Sequence, residues 1–180
     1  VIELNTEENW VKVQPGVVLD ELNAYLKEYD LMFAPDVASG DRANIGGLIG
    51  NNSAGAHSII YGTTVDHVLE TKVVLSNGDV TKFKPLEQDE LNAKLEGSSL
   101  ESKIYRVVRE LVDENRQEII DRYPNILRRV AGYNLDEFVG ENPFNLSKLI
   151  VGSEGTLATV LEAKLKLVPT PKMTALEIVS

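Results

Sequence analysis

Apolar and polar residues alternate near both ends of the chain, as is typical of β-strands with one face in water. Val11-Lys-Val-Gln14 alternates and stops at Pro15-Gly16. Between residues 161 and 167, Leu or Ala occupies the odd positions and Glu or Lys the even ones. We therefore predict one strand at each end, followed in the second case by an exit at Pro169 and Pro171.

A hairpin and two helices are predicted between these strands. Asn77-Gly78 suits the left-handed turn of a hairpin, and the segments Val73-Val-Leu75 and Val80-Thr-Lys-Phe83 flank it. Apolar residues recur at helical spacing in 18–26 (Val18, Leu19, Leu22, Tyr25 and Leu26) and in 104–112 (Ile104, Val107, Val108, Leu111 and Val112). The second helix is predicted from about Glu101 to Ile120, with Pro124 ending it.

Two shorter apolar segments are interpreted as a helix and a strand. Asn44 is placed to cap a short helix over 45–49. Leu149–Val151 is interpreted as a strand that runs into the polar loop 152–156. Because helices and strands do not alternate regularly, we predict an α+β fold with a largely antiparallel sheet flanked by helices.

Composition narrows the classes of function. The 180 residues include 28 acidic and 18 basic side chains, for a formal net charge of −10, which disfavours nucleic-acid backbones and anionic membrane surfaces. No apolar run approaches the roughly 20 residues of a membrane span, and there is no cysteine. We expect a cytoplasmic protein without an integral membrane segment. Strand-like residues at both ends (1–5 and 173–179) indicate a fragment of a longer protein.

Glycine is concentrated between residues 43 and 57, beside Asn51, Asn52 and Ser53. Glycines allow a ligand to touch the main chain and several N–H groups to converge on one anion. A tight turn with close helix packing explains the same glycines equally well. Neither G-x-x-x-x-G-K-[ST] nor G-x-G-x-x-G is present.

Three further groups of residues are candidates for ligand binding. Glu154, between Gly152 and Gly155, would accept bonds from a ribose or adenine donor, unless the loop is a plain hairpin turn. Asp36 and Ser39 would bind a ligand hydroxyl or amide, although such residues more often cap turns. The Arg128-Arg129 pair would face an anion, or at least one arginine forms a surface ion pair. The two histidines, His57 and His67, lack metal-ligand spacing and are interpreted as structural or solvated, so no metal site is predicted.

Taken together, these motifs resemble the FAD-binding, PCMH-type (vanillyl-alcohol-oxidase-like) domain of the D-lactate dehydrogenase and glycolate oxidase subunit family. The resemblance rests on Pro35-Asp36, residues 44–47 and 51–56, Tyr61-Gly62, residues 132–135 and residues 152–157. Residues 41–47, 55–58 and 128–135 are most similar to large FAD-linked dehydrogenases that carry a C-terminal iron–sulfur domain.

The resemblance implies that residues 1–170 are the second lobe of an FAD-binding domain and that 171–180 begin a substrate or cap domain. A first lobe with its Pro-x-Gly-Gly-Gly-Thr-like pyrophosphate loop would lie upstream, because nothing here matches that loop. Ala158 stands where these families usually have glycine. The implied FAD-binding residues are Pro35, Asp36, Ser39, Asn44, Ile45, Gly46, Gly47, Asn51, Asn52, Ser53, Gly55, Ala56, Gly62, Gly152, Glu154, Gly155, Thr156 and Leu157.

The implied parent enzyme oxidises a small D-2-hydroxy acid to the 2-oxo acid and passes electrons onward, with substrate-binding and catalytic groups outside this chain. An iron–sulfur cluster in the parent, and association with a membrane through the parent complex, follow from the same resemblance. Two alternatives stay open: another flavoenzyme with this fold, such as an ether-lipid synthase or a cell-wall precursor reductase, and a non-enzymatic nucleotide-binding module. The FAD assignment depends on the loops near residues 50 and 155 meeting in space.

Overall fold

The computed structural model of the protein describes residues 1–129 and 132–173. The strands are β1 (Glu3–Asn5), β2 (Trp10–Val13), β3 (Leu31–Met32), β4 (Val68–Val74), β5 (Val80–Phe83), β6 (Thr159–Lys166) and β7 (Val168–Pro169). The helices are α1 (Leu19–Leu26), α2 (Ile45–Asn51), α3 (Ser58–Tyr61), α4 (Thr64–His67), α5 (Gln88–Glu96), α6 (Leu100–Glu114), α7 (Arg116–Arg122) and α8 (Ser147–Ile150).

An antiparallel sheet with the strand order β1-β2-β6-β4-β5 joins the two ends of the chain. The central strand β6 pairs with β2 on one side (Val13 opposite Ala163) and with β4 on the other (Thr71 opposite Ala163). A two-stranded sheet, β3 with β7, is also antiparallel. The predicted α+β class and the largely antiparallel sheet are therefore confirmed.

The two faces of the large sheet differ in polarity, as the alternating pattern predicts. Val11, Val13 and Leu165 point to one face and are fully buried. The other face carries ion pairs such as Lys72 with Glu162, whose charged atoms are 2.8 Å apart. The helices thus cover one face, and water reaches the other.

The first helix and the hairpin form where they were predicted. In α1, Leu19, Leu22 and Leu26 are buried, whereas Tyr25, which was placed on the same face, is exposed. The hairpin connects β4 and β5 through Gly78, whose φ of 87° suits glycine.

Two predicted elements differ from the structure. The second long helix ends at Glu114, and α7 restarts after Asn115 (φ −112°, ψ 15°), while Val107 and Leu111 lie exposed on its surface. The apolar segment 149–151 was predicted as a strand, which is wrong, because residues 147–150 form the helical turn α8. Ser147 is the first residue of this turn. Its N–H donates to the Asn145 side chain and its hydroxyl donates to the Phe83 carbonyl. The strand predicted at 173–179 lies almost entirely outside the described residues.

Candidate functional site

The loop that follows α8 is hydrogen-bonded to the end of α2. The Gly152 N–H donates to the Ile49 carbonyl oxygen over 2.8 Å, and the Glu154 N–H donates to the Gly50 carbonyl oxygen over 2.9 Å. These carbonyls belong to the last turn of α2, where carbonyl oxygens lack the N–H donors that the interior of a helix supplies. The loops near residues 50 and 155 therefore meet, as the sequence analysis required.

The start of α2 is also fixed by hydrogen bonds. The Asn44 side chain accepts a hydrogen bond from the Gly47 N–H over 2.7 Å, which confirms its predicted capping role. The Gly46 N–H donates to the Pro15 carbonyl, and the Ile45 N–H donates to the Val17 carbonyl. The turn after β2 thus positions the beginning of α2, and the 152–154 loop positions its end.

The glycines of the two loops fall into two groups. A Cβ on Gly46 would lie 2.8 Å from the Pro15 Cβ, and a Cβ on Gly55 would lie 1.9 Å from the Asp36 carbonyl oxygen. These two glycines permit close packing within the protein. By contrast, a Cβ on Gly50 would meet only the Glu154 Cα at 3.9 Å, and the Cβ position of Gly155 (φ 74°) is open. Gly50 and Gly155 leave space beside the main chain.

That space is a cavity of about 220 Å³ at the junction of the two loops. Ligand pockets usually measure about 300–1,000 Å³, so this cavity would hold one ring-sized part of a larger ligand. Ala158, the departure from the family pattern, lies in its wall. The lining residues are Pro15, Gly46, Ile49, Gly50, Ile150, Ser153, Gly155, Ala158, Thr159 and Val160.

Several of these lining residues were not predicted. Pro15 was interpreted only as a turn, and Thr159 and Val160 begin β6. Gly50 was noted in the glycine-rich segment but was not among the predicted binding residues. No local pattern marks Pro15 or Val160 as facing a cavity, because strand pairing and the position of α2 bring them together.

Most backbone N–H groups in the two loops already donate within the protein. Those of Gly46, Gly47, Gly152 and Glu154 are all bonded. Within residues 1–129 and 132–173, protein acceptors are missing for the N–H groups of Ala54, Ala56, Gly155 and Leu157. A bound ligand therefore has few free backbone donors here, fewer than the clustering of glycine predicts.

A contact between Asp36 and His57 joins the predicted segment 35–44 to the glycine-rich loop. The His57 N–H donates to Asp36 Oδ1 over 3.2 Å, and the His57 Nδ1 is in short contact with Asp36 Oδ2. His57 was predicted to be structural or solvated, and its contact with Asp36 was not predicted. The residues are distant in sequence, so no local signal predicts this pair.

A third segment supports the 152–156 loop. The Tyr133 hydroxyl is 2.9 Å from Thr156 Oγ1, and the Asn134 side chain donates to the Val151 carbonyl over 2.8 Å. Arg129 pairs with Asp136, with 2.7 Å between the charged atoms. The ion-pair alternative for one of the two arginines is therefore confirmed.

A partly buried lysine lies behind the Asn52 turn. Lys148 Nζ donates to the Val65 carbonyl, and the Val65 N–H donates to Asn52 Oδ1 over 2.9 Å. Burial lowers the pKa of Lys148, although Glu137 and Asp66 oppose this shift. Burial also raises the pKa of Glu137, against the attraction of Lys148.

Three other predicted residues, Ser39, Ser53 and Gly62, make local contacts within the protein. The Ser39 carbonyl accepts the N–H groups of Arg42 and Ala43 in a turn, and the Ser53 carbonyl accepts both the N–H and the hydroxyl of Thr64. Gly62, with φ 78°, packs against the carboxylate that caps α4.

In the described part of the chain, no helix has the length and apolarity needed to cross a membrane.

Residues 1–84 match the family model described as an FAD binding domain, and this segment contains α2 and the glycine-rich loop of the junction. The chain is similar in sequence to FAD-binding flavoproteins.

Similarity to curated proteins extends over nearly the whole chain. The D-2-hydroxyglutarate dehydrogenase of Escherichia coli (strain K12) is 38% identical over 175 residues, which cover 96% of this chain and 17% of that protein. The glycolate oxidase subunit GlcD of Bacillus subtilis (strain 168) is 30% identical over 172 residues, which cover 96% of this chain and 26% of that protein. The chain thus spans about a sixth of the D-2-hydroxyglutarate dehydrogenases that it matches.

Solved structures share the fold. An alkyldihydroxyacetonephosphate synthase superimposes with a TM-score of 0.58 and 18% sequence identity, over 96% of this chain and 22% of that one. At this identity the likeness concerns the fold alone.

Proposed function

We propose that the chain is the second lobe of the FAD-binding domain in a dehydrogenase that oxidises a D-2-hydroxy acid to the 2-oxo acid. The support is the similarity of nearly the whole chain to D-2-hydroxyglutarate dehydrogenases, with lower identity to glycolate oxidase and D-lactate dehydrogenase. D-2-hydroxyglutarate is accordingly the first substrate to test. In this proposal residues 1–170 form the lobe, and 171–180 begin the next domain.

The observation that carries the proposal is the hydrogen-bonded junction of α2 with the 152–154 loop. It places the open sides of Gly50 and Gly155 at one cavity, together with the apolar walls of Ile49 and Val160. Gly155 belongs to the wall of this cavity, and its N–H, which has no acceptor among the described residues, would be available to a ligand. Small residues, apolar walls and a single backbone donor suit part of the adenosine or the isoalloxazine ring of FAD.

This arrangement supports the following proposal for the binding residues. Gly155, Thr156 and Leu157 would line the adenosine side, next to Gly50 and Val160. Residues 35–44 and 51–56 would contact the ribityl chain and ring, with Ala54 and Ala56 providing free N–H groups. Gly46, Gly55 and Gly62 would act indirectly, because their missing side chains allow the protein to pack against itself.

FAD would supply the redox chemistry by accepting a hydride from the substrate, and this chain would bind and orient the FAD. The proposed partners are FAD and a small 2-hydroxy acid, with no nucleic acid. The location proposed is the cytoplasm, with membrane association only through a larger complex.

The test is the flavin content of the whole protein and the response of that flavin to substrates. We expect the purified protein to show flavin absorbance in the visible range. D-2-hydroxyglutarate, D-lactate and glycolate, added separately without oxygen, should be compared for loss of that absorbance, with the L-enantiomers as controls. A flavin-free protein, or a flavin that no D-2-hydroxy acid reduces, contradicts the proposal.

A further inference from the structure

Helix α6 carries two apolar stripes. The first stripe is buried in the core of the protein and consists of Tyr105, Val108 and Val112. The second, which we call the outer stripe, lies beside the first and consists of Leu100, Ile104, Val107 and Leu111. Val107 is 50% exposed and Leu111 is 42% exposed. The helix therefore has more apolar surface than its own core covers.

The outer stripe borders an apolar groove of about 320 Å³. Leu75, which follows β4, and Leu149 of α8 also line this groove. Lys103 is the one charged side chain among the described residues of its lining. An apolar groove beside a helical stripe is a common binding surface for the apolar face of another helix.

The outer stripe has the spacing of a coiled-coil seam. Its members are separated by four, three and four positions, as at alternating a and d positions of a heptad repeat. This spacing is the same in both directions along the helix. A second copy of α6 in antiparallel orientation therefore places Ile104 opposite Val107 and Leu100 opposite Leu111, twice, around one two-fold axis.

Two unpaired charges flank the outer stripe on its exposed side. Lys103 and Glu110 are exposed, and neither has an ion-pair partner within residues 1–129 and 132–173. Arg109 of the same helix, by contrast, pairs with Asp113 over 2.6 Å. Lys103 and Glu110 lie on either side of the centre of the stripe. The antiparallel pairing therefore brings Lys103 of each copy within reach of Glu110 of the other, and charges at such flanking positions set partner choice and orientation.

We propose that α6 is a dimer interface, in which the outer stripe and the groove of one copy bind α6 of a second copy in antiparallel orientation. The pairing buries the exposed aliphatic side chains of both copies and forms two Lys103–Glu110 ion pairs. The inference goes beyond the proposed function and does not depend on it, since the outer stripe, Lys103 and Glu110 are outside the residues assigned to FAD.

The first experiment measures the mass of the whole purified protein by sedimentation velocity over a range of concentrations. We expect the wild type to be a dimer that dissociates on dilution. Val107→Glu places a charge at the centre of the interface and should give a monomer. Ile120→Glu is the matched control, because Ile120 is 52% exposed on α7 and does not line the groove. This variant should remain a dimer.

The two charges provide a second experiment that leaves the apolar residues unchanged. Lys103→Glu and Glu110→Lys each turn two attractions into two repulsions, so each variant should raise the dimer dissociation constant about tenfold. A mixture of the two variants places acidic side chains of one copy beside basic side chains of the other. The mixture should therefore form a heterodimer of about wild-type affinity, and the double variant Lys103→Glu/Glu110→Lys should dimerise like the wild type.

Several outcomes would overturn the proposal. A wild-type protein that is monomeric at every concentration has no such interface, and a dimer that survives Val107→Glu uses a different one. A mixture of Lys103→Glu and Glu110→Lys that associates no more tightly than either variant alone excludes the antiparallel pairing. If the wild type is a monomer that Val107→Glu destabilises and Ile120→Glu does not, another part of the same protein covers the outer stripe.

These measurements do not use the flavin. A protein that dimerises through α6 but contains no FAD refutes the proposed function and leaves the dimer interface in place. A monomeric protein whose flavin is reduced by a D-2-hydroxy acid refutes the dimer interface alone.

Discussion

Glu154 donates its backbone N–H to the carbonyl oxygen of Gly50 over 2.9 Å, and it does so with a left-handed backbone, φ 52°. Residues other than glycine rarely adopt this left-handed backbone conformation, because it costs them about 1 kcal/mol or more. The bond joins the end of α2 to the loop after α8. The structure therefore keeps a strained residue at the junction that forms the candidate cavity.

Replacing Glu154 by glycine should relieve this strain. We expect Glu154→Gly to increase the free energy of unfolding by about 0.5–1 kcal/mol and to weaken FAD binding if the Glu154 side chain contacts the nucleotide. Asp30→Gly is the control, since Asp30 has a similar φ of 56° away from the junction. Urea denaturation and FAD titration measure the two effects. A destabilised Glu154→Gly protein would show that the side chain supports the fold.

A methyl group on Gly50 should affect FAD and not the fold. Gly50 lies within α2, where alanine is favoured over glycine by about 0.5–1 kcal/mol, and its Cβ would have only an ordinary contact. The methyl would occupy the cavity, so we expect Gly50→Ala to bind FAD about tenfold more weakly while its melting temperature is unchanged or higher.

Gly140→Ala is the matched control for that variant. Its Cβ position is also open, and Gly140 does not line the cavity. Flavin retention should equal that of the wild type. Equal FAD affinity in Gly50→Ala and Gly140→Ala would exclude the cavity as part of the FAD site.

Gly55→Ala should have the opposite effect on the fold. Its Cβ would collide with the Asp36 backbone, and such overpacking typically costs about 1–3 kcal/mol. We expect a lower free energy of unfolding in urea together with disruption of the Asp36–His57 contact, seen in the NMR signals of the His57 ring. If stability is unchanged, the packing role assigned to Gly55 is wrong.

Glu137 should make stability depend on pH. Burial raises its pKa above the unfolded value of 4.5, so the folded state holds the proton more tightly. This contribution to stability is complete below the unfolded pKa and is lost as the pH rises through the raised folded pKa.

Glu137→Gln removes this titration. Its free energy of unfolding relative to the wild type should therefore increase as the pH rises through that window, measured by urea denaturation between about pH 4 and 7. Glu141→Gln, an exposed neighbouring position, controls for the change in net charge. A relative stability that falls with pH would mean that attraction to Lys148 outweighs the burial of Glu137.

Elements with strong local signals were predictable. Asn44 caps α2 and Asn77-Gly78 turns the hairpin because each acts on backbone groups within a few residues. The predictions failed where tertiary contacts compete. Ser147, the first residue of α8, donates its hydroxyl to the Phe83 carbonyl, a long-range contact that the sequence does not display. An apolar run as short as 149–151 is also ambiguous in sequence. Nothing in the helical periodicity marks the interruption at Asn115.

The sequence alone determines the antiparallel α+β class, the caps and turns, and the resemblance of the glycine-rich segments to FAD-binding domains. Each depends on short-range patterns, which a linear chain displays directly. Which glycines face a cavity, and which merely allow the protein to pack, was decided only by the tertiary structure, as Gly50 and Gly55 show. The same is true of Asp36 and His57, because long-range packing, not sequence spacing, brings their side chains into contact.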